Sequence, residues 1–322
     1  MLHEASLTTG MSLLISAFSV VASLWLDKWL GEPKRFHPLV GFGRLAKKCE
    51  SWCRAISFIS TKQQGIVAWC LSVMPLVLLS YLLLSLIAQF SVIALVVGNV
   101  VILYLTIGGK SLIEHAENIY DPLQRGDIEQ ARYQVSMIVS RNTEKMGEKE
   151  ITSSTIESVL ENGNDAVFGP MIWFLIFGAP GAVLFRLANT LDAMWGYKNE
   201  KYIDFGWFSA KTDDVLGWLP ARVTAVVYAL QGNFQQALAC WQQQAKECKS
   251  PNGGVVMTTG AGSLNIEIGG PTYYHGVLHD KNPMGAGAPA SWDSIPKANQ
   301  LVTRGSFALS YLWLVCVMVG VS

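Results

Sequence analysis

Gln63 to Gly109 reads QQGIVAWCLSVMPLVLLSYLLLSLIAQFSVIALVVGNVVILYLTIGG. Those 47 residues contain no Asp, Glu, Lys or Arg. A helix needs about 20 apolar residues to cross a bilayer, so the run fits two crossings back to back. Pro75, Gln89-Phe90-Ser91 and Gly98-Asn99 are candidate breaks, and the middle one is best placed for the turn. Further charge-free runs cover Ala5–Leu26, Ala166–Phe185 and Gly305–Ser322. The chain is 51% hydrophobic and 15% charged, where a soluble domain carries roughly 25% charge. A soluble all-α core would have to bury every one of these runs. Hydropathy instead gives an all-α fold, a polytopic integral membrane helical bundle in a lipid bilayer, read as one domain over 1–322 with four to six crossings.

Charge distribution sets the expected sidedness. Lysines and arginines balance aspartates and glutamates at 24 each, which leaves no electrostatic footprint for a nucleic-acid partner. The N-terminal run lacks a basic flank and a small-residue cleavage site, so it reads as a retained helix. After it come Lys28, Lys34, Arg35, Arg44, Lys47, Lys48 and Arg54, whereas Met1 to Gly10 has no Lys or Arg. The positive-inside rule places this loop, about 27–62, in the cytoplasm of a bacterial inner membrane. Two crossings then return 110–165 to the same side, including DIEQARYQVSMIV with Ile128, Ala131, Val135 and Ile138 near one face. The next apolar run contains Gly178-Ala179-Pro180-Gly181. Such a break permits a re-entrant helix pair, which would keep 189–215 and part of 232–304 cytoplasmic as well.

Chemistry-bearing residues cluster beside these runs. On a helix capped by Ser153 or Ser154, Glu157, Glu161 and Asp165 lie one turn apart. Repulsion along such a face is relieved by a cation, whether Mg²⁺, an amine or an arginine. The segment NTLDAMWGYKNEKYIDFGWFSAKTDD, Asn189 to Asp214, sets Asn189, Asn199, Asp192, Asp204, Asp213 and Asp214 among Trp195, Tyr197 and Trp207. Carboxylate and amide oxygens suit Mg²⁺, and the aromatic rings suit a planar ligand or an interfacial belt. Leu216–Leu230 carries Arg222 at its centre, as a cavity-lining or interfacial helix would. Glycine-rich loops between Ser250 and Gly287 contain no P-loop, and the chain has no GxSxG elbow. His275 and His279 are four apart but interrupted by Gly276, a weak zinc signal. Six cysteines show no secreted disulfide framework.

Several of these stretches occur in an order that resembles a known family. LDKWLGEPKRFHPLVGFGR, SRNT, ESVLENGNDAVFGP, NTLDAMWGYKNEKYIDFGW with SAKTDD, LPAR, SPNGG and GGPTYY together resemble the CbiB/CobD family of cobalamin biosynthesis, over about Leu26 to Tyr274. Its members are membrane-bound adenosylcobinamide-phosphate synthases. The resemblance implies an amide ligase that joins the carboxylate of adenosylcobyric acid, a corrinoid, to aminopropanol or its phosphate, with ATP and Mg²⁺. It implies Glu157, Glu161, Asp165, Asp192, Asp213 and Asp214 as catalytic. Mg²⁺ would fall to Asp192, Asp204, Asp213 and Asp214. Binding of substrate or nucleotide would fall to His37, Arg44, Arg141, Asn189, Tyr197, Asn199, Trp207, Arg222, Asn252, Tyr273 and Tyr274. A bilayer-edge cleft lined by Trp195, Trp207 and Trp218 would hold the corrinoid. Asn142, Ala193, Arg186 and Val255-Val256-Met257 stand where the family commonly has Asp, Ser, Lys and Trp-Pro-Glu. These departures keep open a regulatory relative similar to the AmpE branch, beside a transporter or sensor that binds its ligand without reaction. The oligomeric state is not legible.

Overall fold

The computed structural model describes residues 2–33, 37–139, 142–270, 272–274, 277–279 and 282–321. It is built almost wholly of helices: α1 (Leu2–Leu30), α2 (Pro38–Arg54), α3 (Thr61–Ala88), α4 (Val92–Thr106), α5 (Gly109–Gln124), α6 (Ile128–Ser136), α7 (Glu148–Gly163), α8 (Gly169–Trp195), α9 (Trp207–Leu230), α10 (Phe234–Gln244), α11 (Gly253–Ser263) and α12 (Ser294–Val321). A π turn, Asn164–Phe168, joins α7 to α8. Short strands, which the sequence did not announce, follow α11: β1 (Ile266–Ile268) pairs with β4 (Met284–Gly285) and β5 (Ala288–Pro289), and β2 (Thr272–Tyr274) with β3 (Val277–His279). Among the described residues, five helical stretches are long and apolar enough to cross a membrane. The chain is an integral membrane protein of the all-α class.

The charge-free run folds as α3 and α4. Ser60 caps α3, its hydroxyl accepting from the Gln63 N–H at 3.4 Å. The turn falls at Gln89-Phe90-Ser91, where the Ser91 hydroxyl accepts from the Ala94 N–H at 3.2 Å and starts α4. Pro75 does not break α3, and Asn99 stays inside α4 by donating to the Leu95 carbonyl at 2.9 Å. In lipid the alternative to such internal bonds is an unsatisfied polar group, so the helices tolerate both residues.

Residues 1–108, 169–217 and 310–322 form one compact unit; residues 109–168 and 218–309 form a second. The sequence reading treats 1–322 as one domain. In the first unit α2, α3 and α8 pack around Phe42, Trp69, Phe185, Leu191 and Trp195. Cys49 and Cys53 lie in that core and all six cysteines are free thiols, in keeping with packing as their role. In the second unit, Asp127 caps α6 through the Gln130 N–H at 3.0 Å, and Ala131 and Val135 are buried.

The break in the third apolar run is the decisive feature of the first unit. Gly178 has φ 67° and ψ −161°, a conformation without helical bonding that side chains other than glycine rarely adopt. Beyond it the chain doubles back. A Cβ on Gly181 would overlap the Trp173 carbonyl, and one on Gly169 would overlap the Phe185 ring. In a straight helix those pairs would be ~12 Å and ~24 Å apart. Gly169–Trp195 is therefore two helical arms packed face to face rather than one long span. The return of the second arm is visible at its end. Asp204 pairs with Lys62 at 3.7 Å, and Lys201 pairs with Glu50 at 3.4 Å, while Arg54 donates to the Lys201 carbonyl at 2.9 Å. The polar stretch thus lies at the same end of α3 as the basic loop that precedes it.

Leucine at 169 or 181 forces the arms apart, and overpacking of this kind costs about 1–3 kcal/mol. Gly169→Leu and Gly181→Leu are expected to lower the melting temperature in detergent, whereas Gly41→Ala, inside α2 with nothing within 4 Å of its new Cβ, keeps or slightly raises it. Parental melting of Gly181→Leu would contradict the packed hairpin.

Candidate functional site

In the second unit the site grows from α7, the π turn, α9 and the loop before α11. α7 begins earlier than the serines expected to cap it. Glu150 accepts from the Gly147 N–H at 2.8 Å at its start, while Ser153 and Ser154 are buried within the helix. Ser153 donates to Glu157 at 3.1 Å and accepts from the Gly269 N–H at 2.6 Å, which ties the glycine-rich loop to α7. Glu157 is only 4% exposed. Asp165 follows Glu161 not on a regular α turn but in the π turn. The Asn164 N–H bonds the Glu161 carbonyl, and the Leu160 carbonyl accepts from the Tyr228 hydroxyl at 3.2 Å. Burial, with the Asp165 charge, pushes the Tyr228 hydroxyl well above the usual tyrosine range, so it remains a donor. Asn164 donates to Asp165 at 2.8 Å and accepts from Thr224 at 3.0 Å. Single π turns of this kind recur at functional sites.

SPNGG, Ser250 to Gly254, forms the start of α11. The Ser250 hydroxyl accepts from the Gly253 N–H at 2.9 Å and the Asn252 N–H at 3.3 Å. Gly253 leaves room for Glu161, whose Oε1 occupies the place a Cβ would fill. A carboxylate at a helix N-terminus is favourably placed in the helix dipole. On the same loop Arg222 donates to the Asn252 side-chain oxygen at 2.6 Å and the Pro251 carbonyl at 3.2 Å, and its Nη1 also reaches the Trp218 carbonyl at 3.1 Å. Its guanidinium lies over the Trp218 ring, 4.8 Å from the centroid. Burial lowers the Arg222 pKa from its ordinary value, which reflects loss of water around the cation. Among the described residues no carboxylate pairs with it.

The first unit holds a different set. His37 is the N-cap of α2, its Nδ1 accepting from the Leu39 N–H at 3.2 Å ahead of Pro38 at the first position. Its Nε2 faces Glu32 at 3.9 Å, and Glu32 also pairs with Arg186 at 3.7 Å. The Asn189 amide donates to Asp213 at 3.3 Å, Asp214 pairs with Lys211 at 3.5 Å, and Asp204 is 56% exposed beside Lys62. The four aspartates expected for Mg²⁺ do not form a ready cage: among the described residues no group of three or more His, Cys, Asp and Glu is placed to hold a metal. Trp195 is a correction to the expected cleft. It is buried in the core edge-to-face with Phe205, centroids 5.1 Å apart, and cannot line a ligand pocket. Tyr197, Asn199 and Trp207 are exposed, as is Arg44. The sequence reading missed the Glu50–Arg54–Lys201 network. Its one advance signal is the spacing of Glu50 and Arg54 across a single turn of α2. Arg141 and His275 lie outside the described residues, as do the side chains of Tyr273, Tyr274 and His279.

Residues 20–302 match the family model described as CobD/Cbib protein. The chain belongs to the CobD/CbiB family. Over 302 residues it is 46% identical to a protein named cobalamin biosynthesis protein CobD from Stutzerimonas stutzeri, covering 94% of this chain and 97% of that one. A protein of the same name from Chromobacterium violaceum is 44% identical over 311 residues, covering 95% and 98%. A third, from Halalkalibacterium halodurans, is 39% identical over 288 residues, covering 84% and 87%. No solved structure matches.

Tyr228→Phe keeps the ring of this CobD/CbiB-family chain and deletes only the hydroxyl on the Leu160 carbonyl. Losing one buried hydrogen bond costs about 0.5–1.5 kcal/mol. Thermal unfolding in detergent is expected to show that loss. An unchanged melting temperature would show that the π turn does not depend on this bond.

Proposed function

We propose that this CobD/CbiB-family protein acts in cobalamin biosynthesis as an ATP-dependent amide ligase. It joins the free carboxylate of adenosylcobyric acid to the amine of aminopropanol or its phosphate, at the cytoplasmic face of a bacterial inner membrane. The observation that carries this reading is the convergence on one loop, Ser250 to Gly254, of the Glu161 carboxylate and the Arg222 guanidinium. Amide formation between an acid and an amine needs both an anion-binding group and a proton acceptor.

In the proposed reaction the corrinoid carboxylate oxygen attacks the γ-phosphorus of ATP, forming an acyl phosphate and releasing ADP. The amine nitrogen then attacks the acyl carbon. The C–O bond to phosphate breaks, inorganic phosphate leaves, and the nitrogen gives up a proton. Both anions must approach each other, and Arg222 offsets that repulsion with a guanidinium already oriented by Asn252 and Pro251. Mg²⁺ would arrive with the nucleotide as part of the substrate, and oxygen donors of the kind that Asp192, Asp213 and Asn189 present in the first unit suit it. Glu161 or Glu157 takes the ammonium proton. Glu157 is the more buried of the two, and Glu161 sits at the N-terminus of α11.

ATP consumption by the purified chain should require both the corrinoid acid and the amine, and cobinamide-type product should accumulate. A carrier or sensor would bind without consuming nucleotide. Asp192→Ala, Asp213→Ala and Glu161→Gln are expected to lower product formation at least ~100-fold while membrane insertion is kept. Unchanged turnover in Asp192→Ala and Asp213→Ala would remove those residues from the reaction.

A further inference from the structure

The second unit contains a cavity of 580 Å³ bounded by Arg222, Trp241, Gln242, Lys246 and Lys249, with Val255 and Pro251 on its inner wall. That volume falls in the ~300–1,000 Å³ range of small-molecule sites. Its charge is one-sided. Among the described residues that line it there are three cations and no carboxylate. Glu247, between the two lysines in sequence, accepts from the Asn282 amide at 2.8 Å and is not part of the lining. Trp241 packs on Ala225, Ala245 and Val255, which gives the cavity an apolar wall beside its cationic rim.

Arg222 shows which way the cavity works. A guanidinium has five N–H donors in a fixed plane. Both Nη1 donors and one Nη2 donor are used, on the Trp218 carbonyl, the Asn252 amide oxygen and the Pro251 carbonyl. Among the described residues Nε and one Nη2–H have no hydrogen-bond partner, and Nε and Nη2 flank one edge of the group. This is the fork that takes two oxygens of a phosphate or carboxylate at once. All three partners in hand are neutral oxygens, so they orient the cation without neutralising it. Lys246 and Lys249 are exposed point charges that tolerate variation in ligand shape.

We propose that this cavity binds the phosphate of a small phosphorylated ligand, with Arg222 as the bidentate clamp, Lys246 and Lys249 as the outer charges and Trp241 as the apolar wall. The inference rests on the ligase reading for which phosphate enters, the nucleotide or the phosphorylated amine. The same chemistry would also accept a phospholipid headgroup.

Binding to the full chain in nanodiscs separates these sources without requiring turnover. ATP and aminopropanol phosphate are titrated separately against protein in phosphatidylcholine discs, and phosphatidic acid is introduced into the discs as a third arm. The corrinoid acid is omitted. At least one phosphate probe should bind, and the Lys246→Ala/Lys249→Ala double variant should weaken it by at least ~10-fold. Both positions are on the surface, so folding is kept, and a parental melting temperature verifies it. The soluble probe that binds names the source, and competition seen only with phosphatidic acid assigns the cavity to a lipid headgroup. No binding by any probe, or binding undiminished in the double variant, overturns the proposal. Phosphate binding without product in the complete reaction would leave the cavity assigned and sink the ligase. Full ligation with undiminished binding in the double variant would do the reverse.

Discussion

One backbone break inside an apolar helical run governs how the first unit is arranged. In hydrocarbon an unpaired carbonyl or N–H has no water to turn to, so a non-helical residue survives only under protein cover. Gly178 is such a residue, and the two arms on either side of it provide the cover. Gly181 packs against the Trp173 carbonyl and Gly169 against the Phe185 ring. Small residues at both contacts let the arms approach closely, the usual basis of helix association in lipid. The consequence reaches beyond the hairpin. Because the second arm returns, Asn199 to Gly206 settles against Glu50, Arg54 and the first turn of α3.

The second unit shows how a short loop can organise charge. Ser250 stops the backbone with its own hydroxyl, Gly253 admits Glu161 where a side chain would exclude it, and Asn252 and Pro251 hold Arg222. Groups of opposite charge, Glu161 and Arg222, therefore meet the same five residues. Among the described residues the Arg222 guanidinium bonds only neutral oxygens, which orient it without neutralising its charge. The packing of α7, with Ser153 bonded to both Glu157 and Gly269, sets the buried carboxylate beside the glycine-rich segment in the same unit.

Much of the fold was legible because lipid imposes a coarse rule. The charge-free run, the turn at Gln89-Phe90-Ser91 and the break at Gly178 are composition signals with a single physical cause. Pro75 misled as a candidate break because its freed carbonyl can be tolerated inside a membrane helix. The start of α7 at Glu148 is not legible in the sequence, since Gly147 offers no side chain to announce a cap. The roles of the aromatic residues were not legible. Trp195 and Trp207 have the same composition signal, yet one fills the core and the other lies at the surface, and only packing distinguishes them. Likewise four aspartates in one segment looked like a metal set, but Asp204 and Asp214 are engaged by Lys62 and Lys211. Family membership was legible from SPNGG, GGPTYY and the Asn189–Asp214 block, and the match over 20–302 bears it out.

The most direct test asks which side of the bilayer the returning segment occupies. Lys47→Cys and Lys198→Cys place reporters on exposed positions of the basic loop and the polar stretch, each in a background where all six native cysteines are serine. Intact cells are treated with a membrane-impermeant thiol reagent, then opened and treated again. The account predicts that both positions stay unlabelled until the cells are opened. Labelling of Lys198→Cys from outside, with Lys47→Cys protected, would mean that the third apolar run crosses the membrane, and would contradict the hairpin and the nucleotide chemistry built on it.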